Sequence, residues 1–290
     1  VIPNAVTIDG HAFDAETKKP VSSFRVTPGI LRSPNMPESG EWYKSLAVDG
    51  TNGIFALTFS GKNRTVILMA EADGYLPVRS GQLKAGQTNY DFQFHKGSGP
   101  NGIVRRLDGQ PVAGATVIYL AGQEQGGLDG KGGLETYMQA GENILTDATG
   151  QFSFAPQLGT GKIFAANSNG FGRIIPEALQ KSGVVILQPW ARVHGRLVKD
   201  GKPVAGENVD LSWGGSFSHD WPLLNLHGAV TDKDGRFTID FVPPGSMSIS
   251  TRKHLDSDHS GWTNQQQRDF TAKPGEDIDL GDVVKNDSER

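Results

Sequence analysis

The chain has 290 residues, more than one typical domain and enough for two or three modules of about 100 residues, the size at which a β-sandwich core becomes self-sufficient. Its 38 glycines and 16 prolines are scattered between short apolar runs, which marks many turns and excludes an architecture of long helices. The net charge of −4 divides into +1 over residues 1–97, −1 over 98–188 and −4 over 189–290, so no segment holds the basic surplus that nucleic acid requires.

The opening VIPNAVTIDG has neither a basic n-region nor an apolar h-region, and no run of about 18 apolar residues follows, so neither a signal peptide nor membrane insertion is expected in this segment. From Gly10 the sequence reads GHAFDAETKKPVSSFRV: a short strand, a polar turn, then a Pro-Val pair at Pro20 that starts an alternating strand. The same element returns as GIVRRLDGQPVAGATVIYL from Gly102, with Pro111, and as GRLVKDGKPVAGENVDL from Gly195, with Pro203. These starts are 92 and 93 residues apart, which identifies an internal repeat.

Further along each copy, DGTNGIFAL at Gly53, TDATGQFSF at Gly150 and TDKDGRFTI at Gly235 place Asp and Gly in a turn before core-facing alternation. A third element closes the copies: AEADGYLP around Gly74, AANSNGFGR around Gly170 and FVPPGSMSIS around Pro243. PEALQKSG, Pro176 to Gly183, predicts a short connecting helix with Pro first and Gly after its end. Each copy thus supplies about seven strands whose apolar faces need a second sheet. The expected fold is all-β: three tandem Ig-like or prealbumin-like β-sandwich domains spanning 1–97, 98–188 and 189–290. The linkers HKGSGPNG and LQPWARVHG are short, so a semi-rigid rod is expected.

The run G-x-V-x-x-x-x-G-x-P-V-A-G-A, followed by T-D-x-x-G-x-F-x-F and V-P-P-G, resembles the carboxypeptidase regulatory-like domain, which is related to Cna B-type domains. The second and third copies carry it best. The first, with KPVSSFRVTPG, Trp42 and AEADGYLPV, is similar to a divergent form found in modular bacterial envelope proteins of planctomycete type. The resemblance spans nearly the whole chain, and its motifs are turns and core strands. It implies a non-catalytic module outside the cytoplasm, periplasmic, cell-surface or secreted, serving as spacer or protein–protein scaffold of a larger envelope protein. It implies no cofactor, and protein or cell-envelope glycan as partner.

Two clusters carry chemistry of their own. The insertion WGGSFSHDW puts Trp213, Phe217, His219, Asp220 and Trp221 in a Gly-rich stretch, and Trp262 follows in a second loop of the same copy. Aromatic rings stack on sugars while Asp and His bind hydroxyls, so carbohydrate or peptide recognition is the alternative function. Against it stands the alternation of VDLSW, which turns Trp213 toward the core. HLDSDH offers His254, Asp256, Asp258 and His259 as candidate metal ligands, but no other copy supplies distant partners and an exposed loop explains them. TDKDGRF lacks the downstream Glu of a calcium loop, and no nucleophile elbow is present, which leaves a metal-dependent hydrolase without support. AGQEQGGLDGKGGLETYMQAGEN lacks a phosphate-loop pattern and reads as a mobile surface loop.

Overall fold

The computed structural model describes residues 6–31, 40–59, 65–83, 87–121, 124–137, 142–157, 161–214, 223–254 and 262–286. The fold is all-β, and one strand order recurs three times. In the first copy Val78–Arg79, Val66–Glu71, Ser23–Leu31 and Val48–Thr51 lie side by side, and Ile54–Phe59, Val6–Asp14 and Phe92–Phe94 continue from them. The second copy repeats this as Gly170–Ile174, Gly161–Asn167, Thr116–Ala121 and Glu142–Leu145, with Gln151–Ser153, Asn101–Arg106 and Val184–Leu187 as the three-stranded sheet. In the third copy the four strands are Trp262–Ala272, Gly245–His254, Asn208–Trp213 and Gly228–Val230. Its three are Arg236–Val242, Ala191–Lys199 and Asp277–Val284.

Alternation drives the layers together. Ile54–Phe59 buries every second residue, and Phe55 and Leu57 meet Phe24, Val26, Leu68 and Ala70 of the other strand group in one core. Burying each such side chain contributes about 1.5–3 kcal/mol. In every copy the first strand runs parallel to the last: Ala12↔Phe92, Ile103↔Val184 and Val193↔Ile278 are register partners.

The two repeated turns lock onto each other in the same way each time. Pro20, Pro111 and Pro203 bridge back to Phe13, Arg105 and Val198. One residue earlier on that first strand, Ala12, Val104 and Leu197 each accept from the valine after the proline, at 3.0, 2.9 and 3.0 Å. The same residues donate to the carbonyls of Gly53, Gly150 and Gly235, at 2.9, 2.8 and 2.8 Å. Those glycines sit at φ 76°, 78° and 76°, and a Cβ on Gly235 would lie 2.7 Å from the Leu197 carbonyl and 3.0 Å from Pro203 Cβ. Only glycine combines this backbone with this approach. Proline fits opposite because it fixes φ and brings no N–H needing a partner.

The turns themselves differ. Asp147 Oδ1 accepts from the amides of Thr149 and Gln151, and Asp232 Oδ1 from those of Asp234 and Arg236, so these amides hold both carboxyls below their ordinary value. In the first copy, Asn52 at φ 50° and Gly53 form a two-residue turn instead, and Asp49, expected in the turn, stands on the strand and pairs with Arg25 at 3.0 Å. The aspartate lock of the first copy sits instead in its first turn, at Asp14. Its buried carboxylate accepts from the Thr17 amide at 2.7 Å, the Glu16 amide at 2.9 Å and the Tyr75 hydroxyl at 3.0 Å. The Thr17 amide, aided by Tyr75, lowers its pKa to about 2 against the opposing effect of burial.

The chain forms two compact units, Val1–Pro100 with Ser153–Thr160, and Asn101–Phe152 with Gly161–Arg290. In the second unit a single core runs through two copies: Ile118, Leu120, Phe164 and Phe171 pack in one cluster with Val193, Leu211, Trp213 and Met247. The stretch expected to be a mobile surface loop helps to build it. Gln125–Leu128 and Leu134–Thr136 pair as a hairpin, Gln125–Leu128 runs parallel to Leu223–Asn225 of the third copy, and Leu128 and Leu134 are buried. The glycines permit this. A Cβ on Gly126 would lie 2.9 Å from Ile118 Cδ1, so the strand beds directly on the core. Pro176–Ser182 is helical as expected, with Gly183 capping it at φ 67° and Leu179 buried beneath.

Gly235→Ala is expected to lower the unfolding free energy by more than about 2 kcal/mol, through strained φ plus the clash with Leu197. Gly201→Ala, at φ 73° with open space around the added methyl, should cost only about 1 kcal/mol. Urea denaturation of the two variants separates the contributions, and equal costs would refute the lock. Because Asp14 is held below its unfolded value, its contribution is complete above pH of about 4 and lost as pH falls toward 2. Asp14→Asn should therefore be less stable at neutral pH and lose less stability across that acid window, as read by urea midpoints at each pH.

Candidate functional site

The richest assembly of aromatic and polar side chains among the described residues lies at the seam of the second and third copies. Trp213 ends the strand Asn208–Trp213 at an inward position and is 9% exposed. Its indole N–H donates to the Leu224 carbonyl at 2.9 Å, the Arg173 guanidinium lies 4.7 Å over its ring, and Phe171 packs 6.2 Å away. Both ring and N–H are engaged within the protein, so the ring is not presented for stacking on a sugar.

Of the other residues proposed for recognition, Phe217, His219, Asp220 and Trp221 lie outside the described residues, as do the metal candidates Asp256, Asp258 and His259. Trp262 and His254 are paired with each other across the strands Gly245–His254 and Trp262–Ala272. That register brings together the backbones on either side of the HLDSDH loop. Among the described residues no group of three or more His, Asp or Glu is arranged to hold a metal ion, and no helix is long and apolar enough to cross a membrane.

Sequence reasoning missed Trp190, which it placed in a linker. Its N–H donates to the Asn167 carbonyl at 2.7 Å, and its ring meets Phe171 at 5.5 Å and the edge of Phe241 at 5.8 Å. Phe241 adopts φ 55°, a backbone that costs a bulky residue about 1–3 kcal/mol, and its ring approaches within 3.0 Å of where a Cβ on Gly132 would stand. A tryptophan between two strands with no room for a domain of its own was the available signal.

Beyond the seam, the outer face of the strand Ala191–Lys199 carries a charge ladder. Arg192 pairs with Asp240 at 3.0 Å, and His194 stands between Asp277 at 3.5 Å and Asp279 at 3.6 Å. These groups are exposed, and an ion pair such as Arg192–Asp240 contributes about 0.2–1 kcal/mol. Their chemistry is strand pairing.

Trp213→Phe should cost about 1–3 kcal/mol, because it leaves the Leu224 carbonyl without its donor in a dry site. A urea midpoint unchanged from wild type would place Trp213 outside the core's energetics.

No protein-family model matches the chain, and no curated protein matches it. Among solved structures it is similar to a streptococcal ancillary pilin, at 10% identity and a TM-score of 0.29, covering 98% of this chain and 100% of that one. It is also similar to BcpA, the major pilin subunit of Bacillus cereus, at 12% identity and a TM-score of 0.26, covering 97% and 100%. The minor pilin GBS52 of Streptococcus agalactiae matches at 15% identity and a TM-score of 0.29, covering 66% and 98%. The all-β assignment of this chain stands on its own strand order.

Proposed function

We propose that this chain is a non-catalytic structural module acting outside the cytoplasm, a spacer or protein-interaction scaffold built from copies at 1–97, 98–188 and 189–290 of the carboxypeptidase regulatory-like kind. One observation carries the reading: in each copy the strand that enters and the strand that leaves are parallel neighbours. Tension along the chain then draws the two strands in opposite directions along their shared ladder. The backbone hydrogen bonds between them are loaded together, in shear, instead of opening one at a time. The ladder is longest in the third copy, from Arg192↔Asp277 to Val198↔Val284. The fused core of residues 101–290 supports the same role, since two copies that share buried side chains do not hinge independently. Partners on this reading are protein surfaces or envelope glycan met along the module.

The chain has no cysteine, so introduced thiols give unique handles for pulling. Handles at Gln188→Cys and Asn286→Cys load the third copy's ladder in shear. Handles at Asp200→Cys and Asn286→Cys load the same ladder from one end. Single-molecule pulling on the full chain should require severalfold more force in the first geometry, because forced unfolding is set by the barrier that the load meets. Equal forces would remove the load-bearing reading.

A further inference from the structure

His227 is placed where the seam closes. It lies between the strands Leu223–Asn225, which pairs with the insertion hairpin, and Gly228–Val230. A Cβ on Gly130, at the hairpin's tip, would lie 3.5 Å from its Cδ2, in ordinary van der Waals contact, so the imidazole faces the hairpin across about the width of a methyl group. Its Nδ1 is buried and has no hydrogen-bond partner. A neutral imidazole tolerates this with an idle acceptor, whereas a protonated one places an N–H in a dry site with nothing to receive it.

The charged groups that face it are Asp129 from the hairpin and Asp240 from the strand Arg236–Val242. Both carboxylates are already engaged: Asp129 Oδ1 accepts from the amides of Lys131 at 2.7 Å and Gly133 at 2.8 Å, and Asp240 pairs with Arg192 at 3.0 Å. Burial pushes the imidazole below its ordinary value, and the Asp240 backbone and the two carboxylates only partly oppose it. Beside it, Phe241 at φ 55° packs its ring on Gly132 and Trp190, so the hairpin and the third copy also meet through an aromatic contact.

We propose that the seam between the hairpin of residues 124–137 and the third copy is a pH-sensitive latch, closed while His227 is neutral and released when it is protonated. The sign follows from proton linkage. The closed seam binds the proton less well than the open one, so closure is fully favoured above the ordinary histidine range and is lost as pH falls through it. The latch is independent of the spacer reading, since it concerns only how two copies are joined.

The test is amide hydrogen exchange on the full chain, corrected for intrinsic rates, at pH 7.5 and 5.5. Protection of residues 125–128, 134–136 and 223–225 should fall by up to about tenfold, the limit for a group with an unfolded value near 6.5. His227→Gln should keep its protection nearly constant between the two conditions, and His194→Gln should behave as wild type. An undiminished fall in His227→Gln, or no fall in wild type, overturns the proposal. Should His227→Gln not fold, the wild-type NMR titration decides: a His227 value at or above 6.5 overturns the latch, and one clearly below it, with loss of protection in the same range, upholds it.

Discussion

Each copy depends on one contact, the glycine of the second turn set against the proline of the first. The proline brings no amide to satisfy, the glycine brings no Cβ to collide, and the residue between them on the first strand uses both its N–H and its C=O to hold the pair. The lock fixes where the first strand lies relative to two others, and the parallel last strand then occupies the edge that remains. Because neither residue type has a substitute with the same geometry, the motif survives in copies whose other residues differ widely.

Around that constant frame the copies diverge in how they use surplus chain. The second and third join their insertions: a hairpin from one pairs with a strand from the other, glycines let it settle on Ile118, and Trp190 and Phe241 close the aromatic row. Polar groups at this seam follow the usual rule for dry sites, with each indole N–H directed at a carbonyl, and His227 Nδ1 departs from it. The departure sits beside a strained Phe241, and strain and unmet polar groups persist where a structure has more than one use for a contact.

Much of the fold was legible because turn chemistry is local. Gly53, Gly150 and Gly235, the three prolines and the helix at Pro176 could each be placed from a few neighbouring residues, and the structure has them as expected. The inward direction of Trp213 was legible too, since alternation along VDLSW sets it. Harder to read were Asp49, whose turn shortened to Asn-Gly so that the carboxylate moved onto the strand, and the glycine-rich stretch 121–143, whose composition suits a loose loop and a tightly bedded strand equally well.

The repeating all-β modules, and the turns that register their strands, were therefore determined by the sequence alone, because a hairpin's geometry depends on φ preferences within a few residues. That copies two and three share one core, that Trp190 belongs to it, and that His227 Nδ1 is buried without a partner were decided only by the tertiary structure. Those facts join residues well separated in the chain, from Trp190 and Asn167 to Gly126 and Leu224, and no local preference reports which distant surface will cover a given side chain.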